Sequence, residues 1–162
     1  MIAPGTVGRE DAALIRTEIE ALIAEFAYRI DHGLSGTVAD LFTQDGWYGR
    51  ANGEKTVGRD AIRAAYAKRA ERGERTARHI FTNLRLTIDS VEAAHGTTIL
   101  LLFAGDGPPL LPARPMLVQD YNDEYRLEDG EWRFAARATH RLFVDESFED
   151  VLNLGGAGSA GA

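Results

Sequence analysis

The stretch Arg78-His79-Ile80-Phe81-Thr82-Asn83-Leu84-Arg85-Leu86 decides the reading of this chain. Before it, apolar residues recur at helical intervals; after it, they alternate with period two. Over residues 79–89, Ile80, Leu84, Leu86 and Ile88 share one face of a strand, while His79 has the parity of Phe81 and Asn83. His79 stands at the mouth of that strand. A neutral imidazole exchanges protons near working pH, so an inward His79 is a candidate general base. The alternative is a strand-edge histidine bonded to a backbone carbonyl. Turning both His79 and the leucines inward requires a bulge near Thr82.

Outward from this stretch, the N-terminal half reads as helices. One starts near Arg9, with Glu10 and Asp11 in its first turn, and carries Ile15, Ile19, Leu22, Ile23, Phe26 and Ile30 on one face. His32-Gly33 ends it, with Leu34 expected to pack back on the cap. Residues 37–42 form a short second helix. Residues 44–51, containing Trp47 and Tyr48, form a strand, which turns at Asn52-Gly53 into a short partner over 54–57. A third helix covers 58–72, with Ala61, Ile62, Ala65, Tyr66 and Arg69 in register, and Gly73 stops it.

Beyond the central stretch, residues 91–104 read as a covered strand, apolar on both faces from Ile99 to Phe103. Residues 105–115 hold four prolines and two glycines and form a loop, a candidate lid or subunit contact. Residues 116–127 and 131–144 pair as a hairpin around Glu128-Asp129-Gly130. Residues 148–154 are expected to add a helical turn, and the Gly, Ala and Ser of 155–162 to be mobile. The order implies an α+β fold, with three N-terminal helices on one face of a curved, mostly antiparallel sheet. One domain over 9–145 is expected, followed by a tail over 146–162.

Composition narrows the function classes. A formal charge of −7 argues against a nucleic-acid partner and against an anionic membrane surface. With no cysteine, thiolate catalysis and Cys-ligated metals are ruled out. The 4 histidines are scattered, without His-x-His or His-Glu-x-x-His, so no metal site is expected. Gly105-Asp106-Gly107 lacks the strand-to-helix setting of a dinucleotide fingerprint, and no cofactor is expected. No signal peptide or membrane span is read, so a soluble cytoplasmic protein is the expectation.

Five segments in order resemble the nuclear transport factor 2-like superfamily, within it the SnoaL-like (polyketide-cyclase-like) branch. They are Phe26-Ala27-Tyr28-Arg29-Ile30-Asp31-His32-Gly33, Leu41-Phe42-Thr43-Gln44-Asp45-Gly46, Gly58-Arg59-Asp60-Ala61-Ile62, Arg78-His79-Ile80-Phe81-Thr82-Asn83, and Tyr121-Asn122-Asp123-Glu124-Tyr125 with Trp132-Arg133-Phe134. The resemblance covers nearly all of residues 10–145 and implies a cone-shaped domain. Within the branch, the pattern looks like that of scytalone dehydratase, bile-acid 7α-dehydratase and hexachlorocyclohexane dehydrochlorinase. Those enzymes pair an Asp near the end of the first helix with a His at the start of the first long strand. The resemblance places Asp31 and His79 at those positions and adds Arg137, five residues after Trp132. It also implies a homodimer or homotrimer. The chain departs from the pattern at Phe26, where these families often carry Tyr or Lys; Tyr28 is the nearest hydroxyl.

The chemistry implied is a cofactor-independent, dehydratase-like elimination from a small cyclic, largely apolar substrate. His79 would take a proton, Asp31 would fix its tautomer, and Arg137 would hold an enolate or leaving-group oxygen. Trp47, Tyr48, Phe103, Tyr121 and Tyr125 would supply apolar wall and hydroxyl donors, with His140 a lesser pocket candidate. Each has a plainer reading. Asp31 sits about 120° round the helix from the apolar stripe, which suits a solvated carboxylate. Arg137 shares parity with Arg133 and Arg141, an outward stripe unless a bulge intervenes. Tyr121 and Tyr125 share parity with Leu117 and Leu127 and fit a core. An isomerase or cyclase using the same base, or a binding and assembly subunit without chemistry, are the competing functions.

Overall fold

The computed structural model describes residues 7–71 and 73–145. The tail expectations, a helical turn at 148–154 and a mobile end, lie outside them.

Helix α1 (Arg9–Asp31) buries Ile15, Ile19, Leu22, Ile23 and Phe26 on one face. Its end is a Schellman closure. Gly33 takes φ +76 and the Leu34 N–H donates to Arg29 O at 2.8 Å. The Leu34 side chain does not pack back as expected; it is 46% exposed. The second helix is a 3-10 turn (Ser35–Leu41), held to α1 by Arg29 Nη1 donating to Thr37 O at 2.8 Å. Strand β1 (Phe42–Arg50) and the short β2 (Lys55–Val57) form the expected hairpin. Helix α2 (Arg59–Ala70) buries Ile62 and Tyr66 one turn apart. The Arg59 guanidinium at its start donates to Phe42 O and to Glu128, tying α2 to the sheet.

Four long strands follow: β3 (Arg75–Ile88), β4 (Ala93–Asp106), β5 (Leu117–Glu128) and β6 (Glu131–Val144). The sheet order is β2-β1-β6-β5-β4-β3. Among the described strands, the β1–β6 neighbours run parallel and every other adjacent pair is antiparallel. The helices cover one face of the curved sheet, and the main core lies between them.

Two irregularities decide which side chains enter that core. In β3, Asn83 and Leu84 together oppose one β4 residue, because Thr82 pairs with Ile99 and Arg85 with Thr97. Asn83 takes φ +55, a left-handed conformation that Asn tolerates better than most residues. This bulge lets His79 and Phe81 share the inward face with Leu84, Leu86 and Ile88. In β6, Ala135 is the extra residue, because Glu124 pairs with Ala136 and Tyr125 with Phe134. It reverses parity, so Trp132 and Phe134 point inward before it, and Arg137 and Thr139 after it. Among the described residues, no helix is long and apolar enough to cross a membrane.

Candidate active site

Asp31 is the last residue of α1, the negative end of the helix dipole, where an acidic side chain is unfavourable. Its burial is therefore explained by what it binds. Oδ1 lies 2.6 Å from His79 Nδ1, and Oδ2 accepts the His79 backbone N–H at 2.8 Å. The side chains are 5% and 14% exposed, respectively. An ionised carboxylate only accepts, so Nδ1 is the donor in this contact, which in a neutral ring leaves the lone pair on Nε2. The ring is fixed in orientation as well, because the same carboxylate holds its backbone.

Further along the inward face lies a second buried charge pair. Arg137 Nε and Nη2 donate to Asp123 Oδ1 and Oδ2, each at 3.0 Å, and the Tyr125 hydroxyl donates to Asp123 Oδ2 at 3.1 Å. The guanidinium carbon lies 4.2 Å from the ring centroid of Phe26, 4.1 Å from Phe134, 4.4 Å from Tyr121 and 4.9 Å from Phe81. Burial pushes the Asp123 carboxyl up against the pull of Arg137. Burial works against the Arg137 charge, but Asp123 and the phenols of Tyr121 and Tyr125 outweigh it and raise its pKa. Arg137 Nη1 has no partner among the described residues. Phe26 stands five residues before Asp31 and Phe81 two after His79, so the two rings connect the dyad to the guanidinium.

Of the remaining candidates, Tyr48, Tyr121 and Tyr125 lie inside. Tyr121 packs edge-on to Phe81 at 5.1 Å, and Tyr48 sits 6.2 Å from Tyr66. Burial raises the pKa of both Tyr121 and Tyr125. Four candidates are not brought to this cluster. Tyr28 is 52% exposed and stacks on His32 outside the helix, about 200° round from Phe26. Trp47 alternates with inward Tyr48 and lies under the Lys55 ammonium, 3.9 Å from its ring centroid. Phe103 follows buried Leu102 in β4, so it takes the outer face beside Arg78. His140 is exposed, because the Ala135 bulge reverses the parity that would have turned it inward.

Sequence reasoning misses Asp123, Tyr66 and the cage rings Phe26 and Phe81. A signal for Asp123 exists: it alternates with Tyr121 and Tyr125, so a carboxylate shares the parity of two core aromatics. Tyr66 reads only as part of an apolar helix face, although its hydroxyl needs a partner once buried. Among the described residues, no group of three or more His, Asp or Glu is placed to hold a metal ion. Among the described residues, one open depression lies beside Arg50 and His140 and another beside His95 and Glu124; Asp31, His79 and Arg137 line neither.

A helix-end carboxylate thus holds a strand-mouth imidazole inside a helix-covered curved sheet. The chain belongs to the SnoaL-like domain family, which matches residues 11–138. No curated protein matches it. Solved structures similar in fold include a protein from Novosphingobium aromaticivorans DSM 12444, provisionally described as a scytalone dehydratase. It has 20% identity and a TM-score of 0.75, with 86% of this chain and 91% of that one covered. A hexachlorocyclohexane dehydrochlorinase (LinA) Type2 has 17% identity and a TM-score of 0.70, covering 85% and 92%. A variant of Rv3472 from Mycobacterium tuberculosis, a protein of unknown function, has 24% identity and a TM-score of 0.67, covering 89% and 82%.

Proposed function

We propose that the chain is a cofactor-independent lyase that eliminates water or another leaving group from a small cyclic, largely apolar molecule. The observation that carries this is the Asp31–His79 contact: buried, bonded at both carboxylate oxygens, and leaving Nε2 as the basic atom. His79 Nε2 takes the proton from carbon. Asp31 holds the tautomer and stabilises the imidazolium that results. Arg137 Nη1, the unpartnered donor of a guanidinium otherwise held by Asp123, receives the oxygen on which negative charge develops. The surrounding aromatic rings exclude water and so strengthen both interactions. A subunit that only binds or assembles has no use for a carboxylate spent on fixing one imidazole tautomer.

The test is turnover of a panel of cyclic β-hydroxyketones and chlorinated cyclohexanes by the wild type and by His79→Ala, with products identified by mass. Loss of water or hydrogen chloride that requires His79 is the expected result. A product of unchanged mass would instead assign an isomerase or cyclase using the same base. Turnover by His79→Ala equal to that of the wild type would end this reading.

We also propose that copies associate as a homodimer or homotrimer through the outer sheet face. The register lines up Ile80, Leu101, Val118 and Phe143 across four strands there, with Ile80 46% and Phe143 69% exposed. Light scattering at micromolar concentration should report two or three copies, and a monomer would refute association.

A further inference from the structure

An elimination needs an acid as well as a base. A departing hydroxide is a poor leaving group until it is protonated. Three buried side-chain groups near the inner cluster have no hydrogen-bond partner among the described residues: Tyr66 Oη, Thr98 Oγ1 and Arg137 Nη1. Of these, only a phenol gives up a proton readily, since a guanidinium stays charged and an alkyl hydroxyl is a far weaker acid. The other phenols are accounted for. Tyr125 donates to Asp123, Tyr28 stands outside, and neither Tyr48 nor Tyr121 leaves a buried hydroxyl unpartnered among the described residues. On α1, Phe26 faces inward with no proton to give.

We propose that Tyr66 is the general acid of this site, protonating the departing group from α2 while His79 takes the proton from carbon. The inference rests on the elimination proposed above. Tyr66 is 2% exposed and packs edge-on to Phe26, with ring centroids 6.4 Å apart and planes at 86°. Phe26 in turn packs edge-on to Phe81 at 6.1 Å, which is two residues from His79 on the same face. The phenol is thus linked towards the imidazole through two edge-on aromatic rings, Phe26 and Phe81. Burial raises the pKa of Tyr66, so the group enters the reaction protonated. The Arg69 guanidinium lies 4.8 Å from the Tyr66 ring centroid. It is near enough to stabilise a phenolate, and its pull on the Tyr66 hydroxyl works against the effect of burial.

The step balances. His79 Nε2 takes the proton from the carbon beside a carbonyl, and the C–H electron pair becomes the new carbon–carbon π bond. The β C–O bond breaks, and the Tyr66 proton moves to the departing oxygen, releasing water. One proton then passes from the imidazolium to the phenolate through solvent, and both groups return to their starting state.

Two probes that differ only in leaving group test this: 3-hydroxy-1-tetralone and 3-acetoxy-1-tetralone. Each yields 1-naphthol on elimination, followed by fluorescence, and acetate leaves without needing a proton. Tyr66→Phe should lower kcat/KM for the hydroxyl probe by roughly 100-fold or more, and for the acetate probe by at least tenfold less. Equal losses on both probes, or no loss on the hydroxyl probe, would overturn the inference while leaving the elimination intact. If the wild type forms no 1-naphthol from either probe, or if His79→Ala forms it as fast as the wild type, the underlying elimination reading fails, and the acid role with it. If Tyr66→Phe does not fold, 3-fluorotyrosine in place of Tyr66 keeps the size and sharpens the acidity. It should move the alkaline limb of the hydroxyl-probe pH profile to lower pH, and an unmoved limb would refute the role.

Discussion

Two His–Asp pairs in this protein have nearly the same length and very different surroundings. His79 Nδ1 lies 2.6 Å from Asp31, and His95 Nδ1 lies 2.8 Å from Asp89. The inner pair's side chains are 14% and 5% exposed, whereas the outer pair's are 54% and 46%. Asp31 is also fixed by the backbone N–H of its own partner, while Asp89 and His95 border an open depression on the sheet's outer face. Two charges about 4 Å apart attract by about 1 kcal/mol in water and about 4 kcal/mol near a protein surface. Distance alone therefore does not tell the two pairs apart. Exclusion of water and a second attachment point distinguish the inner one.

The comparison breaks most sharply in turnover. His79→Ala should lower kcat/KM by about 10⁴-fold, and Asp31→Asn by about 10³-fold, measured on whichever panel compound the wild type converts. His79→Ala should also cost about 1–3 kcal/mol in urea denaturation, because Asp31 Oδ1 loses its donor while buried. Next in size is the fully buried Asp123–Arg137 pair. Asp123→Ala leaves the Arg137 guanidinium unpaired and should destabilise the fold by about 3–5 kcal/mol, read as a lower urea midpoint. His95→Ala and Asp89→Asn should change stability by less than about 0.5 kcal/mol and leave kcat/KM unaltered. A loss of activity in either outer variant would mean that solvent exposure does not separate the two pairs.

The smallest effect expected is at Asp45, which Thr43 and Arg126 hold below the usual carboxylate range. A depressed folded-state pKa adds stability above the ordinary Asp value, and that contribution fades as pH falls through the lowered one. Asp45→Asn should therefore slightly flatten the acid limb of a stability-against-pH curve.

The helices and most strands are legible in the sequence because each keeps one period long enough to read. Ile15 through Phe26 mark a helix face, and Ile99 through Phe103 a covered strand. Which side chains turn inward is less legible, because one extra residue reverses every position after it. Asn83 and Ala135 are those residues; the clash of parity around His79 points to a bulge near Thr82, whereas nothing in the sequence marks the one at Ala135. Parity alone points Arg137 outward and His140 inward, and the bulge at Ala135 exchanges them. Trp47 and Phe103 have a simpler cause: each alternates with a neighbour, Tyr48 or Leu102, that takes the inward place. The pairing of Asp31 with His79 comes from family resemblance, since helical phase favours a solvated carboxylate. Asn83 offers the one local clue to a bulge, being a residue type that accepts positive φ.

The two hydrogen bonds from His79 to Asp31 join positions 48 apart in the chain. The 3-10 turn, the β1–β2 hairpin and α2 all lie in the loop they close. Closing a loop of that length costs conformational entropy, and the cost falls once the enclosed elements are in place, so these bonds are expected to form late. In a refolding experiment, the His79 Nδ1 proton resonance should appear after helical circular dichroism has recovered, and catalytic competence should return with it.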